Sequence, residues 1–176
     1  QLIDRLEATR NLSRDEWIRL IQNRTADDAD YLFERAQAVR TRHYGRSVYI
    51  RGLIEFTNYC KNDCFYCGIR KSNRNANRYR LTKEQMLSCC EMGYALGFRT
   101  FVLQGGEDGS FTDDRLTDII SSIRTRWRAC AITLSVGERS YESYKRLYDA
   151  GANRFLLRHE TYDDTHYGKL HPPALS

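Results

Sequence analysis

From residue 47 onward the chain switches repeatedly between two hydrophobic periods, and this alternation constrains its fold more than any other feature. "SVYIRGLIEFT" (47–57) is β-branched and aromatic, as a strand requires. "TKEQ" (82–85) is a capping box that opens a helix stopping near Gly97. "RTFVLQ" (99–104) is a short apolar strand. Leu116, Ile119, Ile120, Ile123 and Trp127 mark one face of a helix. "ACAITLSV" (129–136) is the next strand, Ser140 starts a helix that runs to Gly151, and "NRFLLRHE" (153–160) is a fourth strand. Strands alternating with helices predict an α/β fold with a parallel sheet and right-handed crossovers.

The leader reads differently. "SRDE" (13–16) is a capping box followed by Trp17, Ile18, Leu20 and Ile21, and a second helix is expected from Asp27 or Asp28 to Gly45. The expected organisation is a helical leader over residues 1–46 and a β/α unit over 47–176.

Strands of a parallel sheet are ordinarily apolar on both faces. Here each carries polar groups on one parity: Arg51 and Glu55 flank Leu53, Gln104 ends its strand, Thr133 and Ser135 share a face, and so do Arg158 and Glu160. Four strands in succession point to a common polar lumen, with helices on the outer face. In a β/α barrel the C-terminal mouth is where chemistry is assembled.

At that mouth, after the first strand, lies "NYCKNDCFYCGIR" (58–70) with Cys60, Cys64 and Cys67. The chain has six cysteines, no signal-peptide core in "QLIDRLEATR" and no apolar run of membrane-spanning length. A reducing, cytoplasmic setting is therefore expected, where clustered thiols favour a metal site over disulfides. Closed zinc sites want four ligands, and the nearest His, His43, lies before the strand. Three thiolates suit a 4Fe-4S cube with one iron left open to an outside ligand. A non-catalytic zinc- or cluster-binding module is the alternative. The net charge of +5 and the run "RKSNRNANRYR" (70–80) raise the question of nucleic acid, but no nucleic-acid motif accompanies them and a solvated loop is expected. Neither a nucleic-acid nor a membrane partner is expected.

C-x-x-x-C-x-x-C after the first strand of a β/α barrel resembles the radical S-adenosylmethionine (SAM) enzymes. The stretches "RGLIEFTNYCKNDCFYCGIRKSNRNANRYRLT", "VLQGGED", "TLSVGE" and "RFLLRHETYD" are similar to the FeFe-hydrogenase maturase HydE family within that group. The resemblance extends from about Val48 through Leu170. It implies helices followed by the first half of a radical SAM TIM-type barrel, truncated after about the fourth strand. The non-Met start and the break at "HPP" agree with a truncated chain. It further implies a 4Fe-4S cluster on Cys60, Cys64 and Cys67, with Tyr66 near the adenine of SAM. Gly105, Gly106 and Glu107 would hold the methionine ammonium, and Gln104, Thr133, Ser135 and Glu160 would contact SAM or substrate. Arg51 and Arg158 would face a small-molecule or organometallic substrate, in HydE a cysteine-bound iron carbonyl-cyanide precursor. A ferredoxin or flavodoxin would be the reductant, and other hydrogenase maturation proteins the partners. Methylornithine synthase is a close relative sharing "NRYRLT" and "ETYD", and biotin synthase a more distant one.

Of the remaining candidates, Cys89, Cys90 and Cys130 lack ligand spacing and are expected to be packed thiols. Glu138 is a ligand contact or an exposed loop acid, and His159, of opposite parity to Arg158, is expected to pack under the helices. His43, His166 and His171 belong to no visible constellation.

Overall fold

The computed structural model describes residues 2–175. They fall into two compact units that divide between Tyr49 and Ile50. In the first, α1 (Leu2–Thr9), α2 (Arg14–Gln22) and α3 (Ala26–Tyr44) pack around Ile3, Leu12 and Leu20. Ser13 and Glu16 form the capping box expected from sequence. The third helix starts one to two residues earlier than expected, because Thr25 caps it reciprocally with Asp28.

The second unit holds β1 (Gly52–Thr57), α4 (Lys83–Ala95), β2 (Thr100–Gly105), α5 (Asp113–Arg126), β3 (Ala131–Ser135), α6 (Tyr141–Asp149), β4 (Arg154–Phe155) and α7 (Asp164–Leu170), with a 3-10 turn at Pro173–Leu175. The strands form one parallel sheet in the order β1-β2-β3-β4. Paired residues in a sheet share a face, so the register sorts the side chains into rows. Ile54, Leu103, Leu134 and Phe155 form a row on the helix side, beside Phe101 and Ile132. Met86, Leu87 and Cys90 of α4, Leu116, Ile119, Ile120 and Ile123 of α5, and Leu147 of α6 close over it. Each such side chain, fully buried, contributes about 1.5–3 kcal/mol.

The opposite face carries Leu53, Val102, Thr133 and Arg154 in one row and Glu55, Gln104 and Ser135 in the next. This is the polar parity expected from sequence, and Gln104 Nε2 donates to Glu55 Oε1 across it at 3.2 Å.

Three strands are shorter than expected, and β3 loses only its ends, running Ala131–Ser135 rather than 129–136. The first begins at Gly52, because its partner Phe101 follows directly on the turn out of α4, leaving nothing for residues 47–51 to pair with. The fourth ends at Phe155 rather than residue 160, since among the described residues no further strand pairs its free edge. Arg51, Arg158 and Glu160 therefore lie outside regular strands, all exposed. His159 is exposed rather than packed under helices, with its ring 6.1 Å from that of Tyr162.

Candidate functional site

Between β1 and α4 the chain runs through residues 58–82 without a helix or strand of its own beyond an isolated bridge. Connections of that length are uncommon unless functional. The loop is closed at its base by the Thr57–Arg80 bridge and by Leu81 N–H donating to the Phe56 carbonyl at 2.8 Å. Inside it, the Arg78 guanidinium donates to the carbonyls of Asn58, Ile69 (2.9 Å), Arg70 (2.7 Å) and Asn73 (3.2 Å). Arg80 lies 3.6 Å over the Tyr59 ring and grips Asp108 through two nitrogens, at 2.6 and 3.0 Å. Lys71 and Arg74 of the basic run are exposed, as a solvated loop would have them, whereas Arg78 and Arg80 brace the loop through these contacts.

Cys60, Cys64 and Cys67 are all free and partly exposed on this loop. Cys67 N–H donates to the Cys64 carbonyl at 3.0 Å, turning the chain so that both side chains belong to one bend. Burial pushes the Cys64 thiol up, with smaller upward pushes from Cys67 and Cys60. Among the described residues no three His, Cys, Asp or Glu side chains are gathered as a single ion would need.

The turn after β2 is fitted against this loop. A Cβ on Gly106 would lie 2.2 Å from the Tyr59 carbonyl oxygen and 2.8 Å from the Cys60 Cβ, so only glycine permits the contact. Lys61 N–H donates to the Glu107 carbonyl at 2.9 Å. The Glu107 carboxylate accepts from Asn62 Nδ2 at 2.9 Å and pairs with Lys61 Nζ at 3.0 Å. Its stem crosses Gly137 (φ +77°), where a Cβ would stand 2.1 Å from the Glu107 Cγ.

Asp108, one residue on, carries no signal of its own in the sequence and is the anchor of the turn. It is 8% exposed and accepts from Thr57 Oγ1 at 2.8 Å, from Ser110 N–H at 3.0 Å and from Arg80. Burial alone would raise its pKa, yet the Arg80, Ser110 and Thr57 hydrogen bonds together hold it at about 2.

His171 is the other residue that sequence reasoning missed. It is 6% exposed, stacks on Tyr167 at 3.9 Å and meets the Tyr66 ring edge-on at 5.5 Å. The Tyr66 hydroxyl is pushed up to about 12, by burial first and by Glu160 and Cys64 in smaller part. Thr133 and Ser135 are buried, and among the described residues the Thr133 hydroxyl finds no hydrogen-bond partner.

The Radical SAM superfamily profile matches residues 54–174. The chain belongs to the radical SAM superfamily. It is 38% identical over 170 residues to the [FeFe] hydrogenase maturase subunit HydE of Thermotoga maritima, which covers 97% of this chain and 47% of that protein. A crystal structure of methylornithine synthase (PylB) superposes with a TM-score of 0.84 at 27% identity, covering 98% of this chain and 51% of the other. A crystal structure of HydG, a maturase of the [FeFe]-hydrogenase, gives 0.86 at 25% identity, covering 97% and 39%. The chain spans about half the length of the curated relatives it matches.

As a member of the radical SAM superfamily, the chain presents leader helices followed by the first four strands of a TIM-type barrel. The superfamily generally uses a 4Fe-4S cluster and SAM. The residues present fit that pair. Cys60, Cys64 and Cys67 are three free soft thiols on one loop, the donor type that an iron–sulfur cluster takes. A buried hydroxyl without a partner on the polar row suits a ligand contact. The other cysteines take no part: Cys90 and Cys130 are 0% and 1% exposed in the core, and burial, with Cys89 and Cys130 adding to it, pushes the Cys90 thiol up to about 12. Glu138 is exposed on the loop after β3, on the rim of a cavity shared with Glu107. No helix among the described residues is long and apolar enough to cross a membrane.

Proposed function

We propose that this chain carries the cluster- and SAM-binding half of a HydE-type radical SAM enzyme that acts in assembly of the FeFe-hydrogenase di-iron subcluster. The observation that supports the reading is the close fit of Gly106 against Tyr59 and Cys60, which seats the loop of three free thiols against the turn that carries Glu107. When bound, the cluster and SAM would supply one-electron cleavage of the sulfonium to methionine and a 5′-deoxyadenosyl radical.

The protein's part is position and electrostatics. Cys60, Cys64 and Cys67 would hold the cluster through their thiolates. Glu107 receives the methionine ammonium by a charge-assisted hydrogen bond, with the backbone of Gly105 and Gly106 beside it. Tyr66 lies by the adenine, and Gln104, Thr133, Ser135 and Glu160 orient SAM along the polar row. Arg51 and Arg158 grip an anionic small-molecule or organometallic substrate. A ferredoxin or flavodoxin supplies the electron, and other hydrogenase maturation proteins are its partners. The 38% identity to HydE supports this assignment over the methylornithine synthase reading, for which the PylB likeness speaks.

The test is anaerobic reconstitution followed by turnover. Replacing Cys60, Cys64 and Cys67 together with Ala should abolish the brown, oxygen-labile cluster, and retention of a full cluster would overturn the ligand assignment. Glu107→Gln should weaken SAM binding more than Glu138→Gln. A version extended through the strands its relatives possess should form 5′-deoxyadenosine with a reductant. Formation only with an ornithine- or lysine-type amino acid would sink the maturase assignment and leave SAM cleavage standing.

A further inference from the structure

Glu107 already has cationic company, supplied by the cysteine loop itself. One carboxylate oxygen meets Lys61 Nζ at 3.0 Å and the other accepts from Asn62 Nδ2 at 2.9 Å. The carboxylate cannot retreat to serve a second cation, because its stem is wedged over Gly137 and its backbone carbonyl accepts from Lys61 N–H at 2.9 Å. Lys61, by contrast, is loosely held, with 69% of its side chain exposed against 22% for Glu107. Both residues line a cavity of about 320 Å³, together with Arg139 and Glu138. Arg139 does not compete for Glu107, since it donates to Asp113 Oδ1 at 2.7 Å and to the Phe111 carbonyl at 3.1 Å.

We propose that Lys61 is a displaceable counter-ion for Glu107, which an ammonium-bearing ligand must expel, so that Lys61 sets the affinity and the amino-group selectivity of this site. The inference rests on the reading that Glu107 receives the ligand's ammonium. Exchange of one ammonium for another keeps the local charge balanced, so Glu107 is never left unpaired beside the cluster loop. The departing lysine swings on a flexible four-carbon stem into water and recovers its hydration there. A ligand lacking the amino group gains nothing at Glu107 and leaves Lys61 in place.

The expected sizes follow from the exposure of the pair, since exposed ion pairs hold only weakly. Lys61→Met should tighten SAM binding, by up to about fivefold. Lys61→Arg, whose fork holds a carboxylate through two bonds, should loosen it by a similar factor. A merely structural lysine would loosen binding in both variants. The measurement is equilibrium dialysis of SAM, and of its analogue lacking the amino group, against the anaerobically reconstituted chain, with iron content matched between variants. The analogue's affinity should be the same in all of them. If Glu107→Gln weakens SAM binding while Lys61→Met leaves it unchanged or weaker, the counter-ion role is wrong and the Glu107 assignment survives. If Glu107→Gln has no effect, the Glu107 assignment falls and takes the Lys61 role with it.

Discussion

Asp108 accepts hydrogen bonds from three directions, linking the end of β1, the base of the cysteine loop and the turn after β2. Its pKa of about 2 lies below the ordinary 3.8, so the ionised form stabilises the fold above pH 4, and that contribution is lost as pH falls toward 2. The shift corresponds to about 2 kcal/mol. Asp108→Asn should therefore lose roughly that much stability at neutral pH, and its urea midpoint should change less between pH 4 and pH 2 than the parent's does. Parallel pH curves would show that the carboxylate is not the anchor. Gly106 gives a second test at this scale. An added methyl would press on the Tyr59 backbone oxygen at 2.2 Å, which cannot yield as a flexible side chain would. Gly106→Ala should cost about 1–3 kcal/mol and reduce iron retention, whereas Gly68→Ala, with nothing within 4 Å of the new atom, should do neither.

The cysteine loop owes its shape to side chains rather than to a ladder of backbone bonds. Arg78 satisfies four carbonyls at once, which a lysine's single ammonium cannot reach. Arg78→Lys keeps the charge yet should raise amide hydrogen exchange across residues 58–78 by about tenfold, or about 1.4 kcal/mol, while α5 and β2 stay protected. Uniform exchange in the two proteins would remove Arg78 from this role. The contrast explains what is legible in the sequence. Strands and helices announce themselves by local period, and the caps at Ser13 and Thr82 by spacing alone, as both form. The polar parity of Glu55, Gln104, Thr133 and Ser135 is local as well, and the register brings it onto one face. Arg78 and Arg80 look like any surface run because the carbonyls and the carboxylate they serve are fixed only by the folded loop. His171 is invisible for the same reason, since it meets Tyr66 across 105 residues. The length of β4 depends on a neighbouring strand, which its own residues cannot announce.

At the scale of the whole molecule, the sheet has two outer edges that no described strand covers, and the β4 side also exposes apolar surface. Leu134, Tyr144, Leu147, Phe155 and Leu157 line a groove of about 400 Å³ beside that edge. Tyr148 at its rim is 69% exposed and Leu157 58%. Open edges and contiguous apolar surface favour association. Two copies of this chain should therefore associate through the β4 side at micromolar to millimolar concentration, visible as a concentration-dependent sedimentation coefficient, and the groove should enhance the fluorescence of a hydrophobic dye. Leu157→Lys combined with Tyr148→Lys should suppress both signals while leaving the melting temperature nearly unchanged, because both side chains are already largely in water. A version extended through the strands that its relatives possess should suppress them equally, since the next β/α unit of a parallel barrel packs against this edge. If the extended version still binds dye and still associates while the double variant does not, the groove serves a partner other than the chain's own continuation. If neither change alters sedimentation, association runs through another surface, and the β4 edge is protected by its short length alone.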